Sequence, residues 1–423
     1  MCGYAFRPSG CTGIHDELSA RAIVFDDGRN RVAIVSMELL GLDFDLVDKV
    51  RQGVHAATGI PPAALMLHAT HTHGGPNVRK FNTMGSRDEA YVESLADKLV
   101  DVVKQAANLL EPVSLAYGRA SAQIGVNRRQ IGPEGKSSIG LNPDGPIVPY
   151  VDVISVRDRN GAPKALLFSH ACHPTTLGGE NLEITGDWPG FACEAVHRES
   201  GVMPFFLQGC AGNINPHPRG TYEIARQHGE TIALTAILAG DSGERIASEE
   251  VGFRELSVDL PLIPPPPVEE CDRNISHWES EVANERRAGN VGRILHAEGL
   301  LDFARYERSI ACQDKANLQK AFHLQLLRIG GARILGMPGE MFVQYQLDFQ
   351  GQADGPVFAL GYTNGVHGYV PTAADYPFGG YEVDGAHRYY GTLMYAPESE
   401  LLIRDAAYDL LEVQDPDRTA YRT

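Results

Sequence analysis

The chain lacks any apolar run close to the ~18 residues that a membrane-spanning helix needs. Its first residues show no basic region followed by an apolar stretch, so no signal peptide is recognised. The seven cysteines are an odd number and form no CxxC pair, which fits reduced thiols better than a disulfide framework. Together these absences predict a cytoplasmic protein without stable membrane anchoring.

Positive charge is also scarce. Lys and Arg number 37 against 54 Asp and Glu, which gives a formal net charge of −17. An acidic surface argues against binding to nucleic acid or attraction to anionic membranes. The expected partner is therefore a small-molecule substrate, and a homo-oligomer is left open.

The apolar content and the order of elements predict an α/β fold. Hydrophobic residues make up 43% of the 423 residues, which is enough for a sizeable core. An apolar strand over residues 31–40, an amphipathic helix over 43–57 and a strand over 64–70 predict a parallel strand pair with a right-handed crossover. Because no clean linker interrupts the chain, we expect a single large domain over residues 1–423, with mixed β-sheets flanked by helices.

Further elements follow from the same patterns. A long helix is predicted over residues 88–110, and further strands over 113–117, 150–156, 164–169, 203–207, 322–329 and 332–335. The segment from 124 to 149 is rich in Gly, Pro and Asn, which predicts a long surface loop. A proline run over 263–268 precedes a polar segment, about 269–316, that is expected to form an exposed helical pair.

A histidine-rich motif follows the strand at 64–70. Strand alternation would place His71 and His73 on one face and His68 on the other. Two imidazoles spaced i and i+2 at a strand end can share one metal ion, or one can bind metal while the other binds substrate. Alternatively, His71 and His73 are partly exposed loop histidines without a functional role.

Three other segments also place candidate functional residues at a strand end, at a turn or in an irregular loop. His173 ends a strand and precedes a proline that forces extended backbone. Glu340 follows a Pro-Gly turn, at the predicted start of a helix whose dipole favours a carboxylate. The stretch over 361–382 is rich in glycine, proline and tyrosine, which is typical of a loop packed over a core edge or a ligand.

These motifs together resemble the N-terminal catalytic domain of the neutral/alkaline non-lysosomal ceramidases. Any one motif is weak, but their shared order along nearly the whole chain is specific. The matching segments are Thr70-His-Thr-His-Gly-Gly-Pro76, Asn127-Arg128-Arg129, His173-Pro-Thr-Thr176, Thr185-Gly-Asp-Trp-Pro-Gly190, Pro338-Gly-Glu340 and Tyr369-Val-Pro-Thr372 through Tyr381-Glu382.

The resemblance implies a zinc site and a substrate site. By position, it implies that a zinc ion (Zn2+) is held by His71, His173, Glu340 and Tyr369. It also implies that the side chains at the substrate are His73, Arg128 and Tyr381. Two imidazoles and a carboxylate are a usual ligand set for catalytic zinc. Asp187 is expected either to support the site or to cap a helix.

The chain departs from the family pattern at two points. Asn215 stands where the family carries a catalytic serine, and an amide cannot be a hydroxyl nucleophile. Cys210 is nearby but is expected to be a buried structural cysteine. The sequence ends at Thr423, so the C-terminal β-sandwich domain of the ceramidases is expected to be absent.

Three functions are compatible with this pattern. The leading one is a zinc-dependent hydrolase that uses a metal-activated water on the amide bond of an N-acyl compound, a ceramidase-like amidohydrolase whose substrate need not be ceramide. A zinc hydrolase acting on a carbohydrate derivative or glycoside is the second, with Trp188 and the tyrosine-rich loop available for sugar stacking. A degenerate, non-catalytic zinc-binding protein is the third.

Overall fold

The structure is a computed structural model that describes residues 1–81, 83–313 and 318–413. Within these residues the α-helices are Phe44–Thr58 (α1), Glu89–Ala107 (α2), Asp187–Ser200 (α3), Tyr222–Asp241 (α4), Val268–Ala288 (α5), Val291–Ala311 (α6), Val343–Gln352 (α7) and Ser399–Leu411 (α8).

The strands are short and numerous. They are Gly13–Ile14 (β1), Ala20–Asp26 (β2), Arg31–Met37 (β3), Leu65–Ala69 (β4), Val113–Ser121 (β5), Gly125–Ile131 (β6), Ser137–Asn142 (β7), Tyr150–Asp158 (β8), Pro163–His170 (β9), Glu183–Ile184 (β10), Met203–Gln208 (β11), Ile214–Pro216 (β12), Glu244–Arg245 (β13), Val251–Pro261 (β14), Gln319–Ile329 (β15), Ala332–Gly336 (β16), Glu340–Met341 (β17), Val357–Leu360 (β18) and Tyr369–Val370 (β19).

The strands form several mixed sheets. The largest has the order β11-β9-β8-β5-β13, and a four-stranded sheet has the order β14-β15-β16-β18. Two three-stranded sheets, β2-β3-β4 and β12-β6-β7, lie beside them with the pairs β1-β10 and β17-β19. The predicted fold class, mixed β-sheets flanked by helices, is confirmed.

The first strand–helix–strand unit forms as its sequence predicts. β3 and β4 pair in parallel, with Met37 opposite Ala69. Helix α1 connects them and buries Leu46, Val50 and Val54 against the core. It ends at Gly59, whose φ of 76° is the left-handed conformation that glycine adopts without strain.

The predicted surface loop over residues 124–149 is wrong. Strands β6 and β7 pair antiparallel there, and β6 also pairs with β12. The strand was hidden because its middle residues, Asn127, Arg128 and Arg129, are polar and yet buried. Apolar alternation, the usual strand signal, is therefore missing.

The proline run is followed by two long helices, α5 and α6, joined through Gly289 and Asn290. They cover most of the segment expected to be a helical pair, and its last residues, 314–316, lie outside the described residues. None of the helices within the described residues is both long and apolar enough to cross a membrane.

Three sheets meet around His68. Its Nε2 accepts a hydrogen bond from the Gln208 backbone N–H at 2.9 Å, which joins β4 to β11. His68 also bridges to Thr363, and Gly209 bridges to Leu360 at the end of β18. As expected, His68 is turned into the fold, where it fixes the strand ends that carry the functional residues.

This junction makes stability sensitive to acid. Burial lowers the pKa of His68 from 6.5 to about 4. As the pH falls from 6.5, the unfolded chain takes up a proton at this histidine before the folded chain does. The free energy of unfolding should therefore fall by about 3 kcal/mol between pH 6.5 and 4 from this residue alone. Urea titrations of His68→Gln, which keeps an acceptor for the Gln208 amide, should show a flatter pH dependence.

The exposed His55 offers a matched control, since His55→Gln removes a histidine from the surface of α1 and leaves the junction around His68 intact. An unaltered acid slope in His68→Gln would contradict the assignment of a buried neutral imidazole.

Candidate metal centre

Three distant segments bring His71, His173 and Glu340 together. His71 follows β4, His173 follows β9, and Glu340 begins β17. Glu340 Oε2 lies 3.1 Å from His71 Nε2 and 3.0 Å from His173 Nε2. All three side chains are buried, so their donor atoms face one another rather than solvent.

Glu340 reaches this position from a strand, not from the predicted helix start. Its N–H donates to the Gly368 carbonyl at 2.8 Å, and β17 pairs in parallel with β19, with Glu340 opposite Tyr369. Helix α7 begins only at Val343. The strand pairing therefore brings two of the predicted ligands side by side.

Backbone carbonyls orient both histidines. His71 Nδ1 lies 2.6 Å from the Leu40 oxygen, and His173 Nδ1 lies 2.5 Å from the Ala211 oxygen. A carbonyl can only accept, so each Nδ1 carries the proton and each Nε2 keeps its lone pair. This outer hydrogen bond is the usual support of a metal-binding histidine.

The electrostatics of the cluster suit a cation. Burial, with the nearby charge of Arg128, lowers the pKa of His173 to about 4, so the imidazole is neutral at neutral pH. Burial by itself raises the pKa of Glu340, but the facing His71 and His173 hold it well below its usual range. The cluster thus offers the neutral His173 nitrogen and one carboxylate oxygen to a cation.

The spacing of these donor atoms also fits a metal ion. Ligand atoms at ~2.0–2.1 Å from a tetrahedral zinc are about 3.3 Å apart. The distances from Glu340 Oε2 to the Nε2 atoms of His173 and His71, 3.0 and 3.1 Å, are near this value. The residues present therefore fit zinc.

His73 lies at the edge of the same cluster. Its Nε2 is 3.4 Å from His71 Nε2, and donor atoms of His71, His73 and His173 all lie within 4.8 Å of one another. Burial, with the neighbouring His71 and His173, lowers its pKa well below 6.5. Its Nδ1 is buried without a hydrogen-bond partner among the described residues. The geometry accommodates either a third nitrogen ligand or a substrate-facing histidine.

The strand alternation that led to these histidines is wrong beyond residue 69. β4 ends at Ala69, and His71 has a φ of 70°, in the left-handed region that non-glycine residues rarely adopt. Its ring stacks on Tyr362 at 4.2 Å between centroids. The packing and the Leu40 carbonyl together hold this backbone conformation, which is the kind of local strain found at functional sites.

Arg128 organises the other side of the cluster. Its Nη2 donates to the Tyr369 hydroxyl at 2.9 Å, and its Nη1 donates to Asn215 Oδ1 at 3.2 Å. Its Nε donates to Glu382 at 2.8 Å, and Glu382 also accepts from Arg129 at 2.8 Å. The predicted residues Arg128, Asn215 and Tyr369 thus form one hydrogen-bonded group.

Tyr381 closes the aromatic side of this group. Its ring lies 5.6 Å from that of Tyr369 and 5.9 Å from the Arg128 guanidinium carbon. All eight predicted site residues therefore converge. Their individual roles, including ligation by Tyr369 and proton transfer by His73, stay predictions.

Several neighbours carried no sequence signal for a role at the site. Tyr390 donates its hydroxyl to Glu340 Oε1. Tyr4 packs against the His73 ring at 4.9 Å, and Arg7 donates to the His73 carbonyl at 2.9 Å. These partners are far away in sequence, so no local pattern could have found them.

Three further residues singled out in the sequence are buried and contact the protein backbone or core. Asp187 accepts from the backbone N–H groups of Thr176 and Leu177, which fixes the segment after His173, while Gly186 is the N-cap of α3. Trp188 is fully buried and donates to the His173 carbonyl at 3.1 Å, so its ring cannot stack on a sugar. Burial also raises the pKa of Cys210, which keeps the thiol protonated.

Removing one histidine should remove the metal. His173→Ala should lower the zinc content from about one equivalent per chain to near zero, because a single carboxylate and one imidazole bind weakly. Elemental analysis of protein purified without chelators measures this. His197→Ala, at an exposed position of α3, should keep its zinc. Full zinc in His173→Ala would contradict this ligand assignment.

The Glu382 carboxylate should be essential to stability. It is buried between two arginines, and breaking a buried ion pair typically costs about 3–5 kcal/mol. Glu382→Ala should therefore lower the free energy of unfolding by about that amount in urea titrations. Glu298→Ala, which removes an exposed ion pair with Arg286, should change it by less than ~1 kcal/mol. Equal losses of unfolding free energy in Glu382→Ala and Glu298→Ala would contradict the greater importance of the buried ion pair.

Comparisons with known proteins find similarity to neutral ceramidases. The family described as neutral/alkaline non-lysosomal ceramidase, N-terminal, matches residues 1–206. Over 97% of its length the chain is 25% identical to the neutral ceramidase of Pseudomonas aeruginosa, spanning 70% of that protein. It is 24% identical over 59% of its length to neutral ceramidase B of Dictyostelium discoideum, spanning only 39% of that protein.

The fold is similar as well. The crystal structure of the Pseudomonas aeruginosa neutral ceramidase superposes with a TM-score of 0.73 at 22% identity, covering 97% of this chain and 71% of that one. A structure described as ceramidase complexed with C2 gives a TM-score of 0.74. The chain is thus similar to the neutral/alkaline non-lysosomal ceramidases, with the family match lying in residues 1–206 and the similarity of fold extending over 97% of the chain.

Proposed function

We propose that this protein is a zinc-dependent hydrolase that cleaves the amide bond of an N-acyl compound. The observation that carries the proposal is the convergence of His71 Nε2, His173 Nε2 and Glu340 Oε2 in a buried cluster. The neutral ceramidases to which the chain is similar are named for amide hydrolysis, which favours an amide over other bonds.

His71, His173 and Glu340 would hold a zinc ion, with Tyr369 as a further oxygen donor. Such an ion would supply Lewis acidity that lowers the pKa of water toward ~7. The burial of these side chains excludes bulk water, so charges inside the site act through a low dielectric.

His73 is placed to move protons. Burial and the two neighbouring imidazoles keep it neutral at neutral pH, so it can accept a proton at a ring nitrogen and deliver it to the leaving amine. The packing of Tyr4 and the Arg7 hydrogen bond hold the histidine in place. This assignment keeps His73 outside the proposed ligand set, which is His71, His173, Glu340 and Tyr369.

Tyr381 and Arg128 act on the carbonyl side. Burial, with the charge of Glu340, raises the pKa of Tyr381, so its hydroxyl stays protonated and can donate to the developing oxyanion. A donor aimed in this way is worth on the order of 3 kcal/mol. Arg128 is largely committed to Tyr369, Asn215 and Glu382, so its main effect is to position them.

Asn215 supports water as the nucleophile. It accepts from Arg128 where the family carries a serine, and it offers no hydroxyl. Cys210, the nearest thiol in sequence, hydrogen-bonds to the Ala359 carbonyl with its pKa raised by burial. Neither side chain can replace the serine as an attacking group.

The proposal is tested by a hydrolysis screen of zinc-loaded protein against ceramide, other N-acyl amides, esters and glycosides. We expect amide cleavage that disappears on zinc removal and returns on zinc addition. Cleavage of glycosides alone would instead support the carbohydrate alternative, and no cleavage of any class would support a non-catalytic zinc protein.

The amide substrate found in this screen also tests whether His73 acts in proton transfer rather than as a zinc ligand. His73→Ala should keep about one zinc per chain and lower kcat by about 10²–10⁴-fold, since it removes a general acid–base group. His197→Ala, remote on α3, should retain both zinc and rate. Loss of zinc from His73→Ala would make His73 a ligand instead.

A further inference from the structure

The two oxygens of Glu340 have different partners. Oε2 faces the two histidines, at 3.1 Å from His71 Nε2 and 3.0 Å from His173 Nε2. Oε1 accepts a hydrogen bond from the Tyr390 hydroxyl. The carboxylate is therefore divided between a metal-facing oxygen and an oxygen held by the protein.

Tyr390 is held firmly in this position. Its ring packs against Phe81 at 5.3 Å, and the Arg79 guanidinium lies 5.1 Å from its centroid. A Cβ on Gly368 would come within 3.2 Å of the Tyr390 ring, so the close approach of ring and backbone needs a glycine there. The carbonyl of Gly368 accepts the Glu340 N–H, so one backbone segment positions both partners of the hydrogen bond.

The Tyr390 hydroxyl is a reliable donor. Its ring is fixed by packing, and of the two groups in contact the phenol is the one that can donate a hydrogen. An ionised carboxylate is acceptor-only, so the direction of the hydrogen bond is fixed. A hydrogen bond to a charged group is also about twice as strong as one between neutral groups.

We propose that Tyr390 is a positioning residue that occupies Glu340 Oε1, so that Glu340 offers a metal ion a single oxygen. A carboxylate is able to bind a metal through one oxygen or both, and the second oxygen would take up space that water needs. By hydrogen-bonding to Oε1, Tyr390 leaves Oε2 as the oxygen of Glu340 that can bind a metal. The inference rests on the proposed zinc site, and it assigns to Tyr390 a control over how that site is filled.

Tyr390→Phe tests the inference because it removes only the hydroxyl. Zinc alone serves as the probe, titrated into metal-free protein against a competing chelator. We expect the Kd for zinc to rise about 10–100-fold, the usual effect of losing an outer-shell partner of a ligand. X-ray absorption at the zinc edge should show one more oxygen neighbour in the variant than in the parent protein, because Oε1 is freed.

Tyr117→Phe is the matched control. Tyr117 also donates to a buried carboxylate, Asp152, at 2.6 Å, but on β5 and away from the metal centre. This substitution removes an equivalent hydrogen bond and should leave both the zinc Kd and the zinc neighbours unchanged. Equal zinc Kd values and neighbours in Tyr390→Phe and Tyr117→Phe would overturn the inference.

Failure of the inference can be separated from failure of the proposed function. If the unaltered protein binds no zinc, the proposed function falls and the inference falls with it. If it binds one zinc and Tyr390→Phe binds it identically, only the inference falls. Should Tyr390→Phe not fold, Gly368→Ala displaces the same ring and takes its place. Unfolding of both variants, with Tyr117→Phe folded, would show a purely structural tyrosine and also overturn the inference.

Discussion

The site depends on lone pairs that face one another in a buried space. Glu340 Oε2 lies about 3 Å from the Nε2 atoms of His71 and His173, and all three side chains are buried. The fold holds them there with backbone carbonyls behind His71 and His173 and a parallel strand pair behind Glu340. A cation at the centre, as proposed, would be attracted by all three inward-facing atoms.

Buried charged residues around the cluster hold its side chains in position. Arg128 and Arg129 are buried on a strand, and Glu382 neutralises part of their charge from a segment about 250 residues later. Burying two guanidinium groups is costly unless every donor finds an acceptor. Tyr369 and Asn215 complete the acceptor set for Arg128. Arg128 therefore connects Tyr369 and Asn215, beside the histidine cluster, with Glu382 of the tyrosine-rich loop.

The sequence predicted the apolar framework better than the polar part. The β3–α1–β4 unit could be predicted because an apolar strand and a helical stripe are local patterns. β6 could not, because its buried arginines are stabilised by partners that only the folded chain brings near. The eight site residues were found through ordered motifs, whereas Tyr390 has no motif and acts on a residue 50 positions away. The ordinary strand alternation also failed at His71, since the backbone there adopts a left-handed conformation.

The strand pairing of Glu340 with Tyr369 has a further consequence. The family match covers residues 1–206, which contain every histidine of the centre, but the carboxylate and the tyrosines come from the second half of the chain. Neither half holds a complete set of donors, so zinc should have little affinity for the chain before both halves have docked. A zinc ion held as proposed would then act as a folding ligand that stabilises only the finished structure. In that case the supply of zinc in a cell would influence how much of this protein persists.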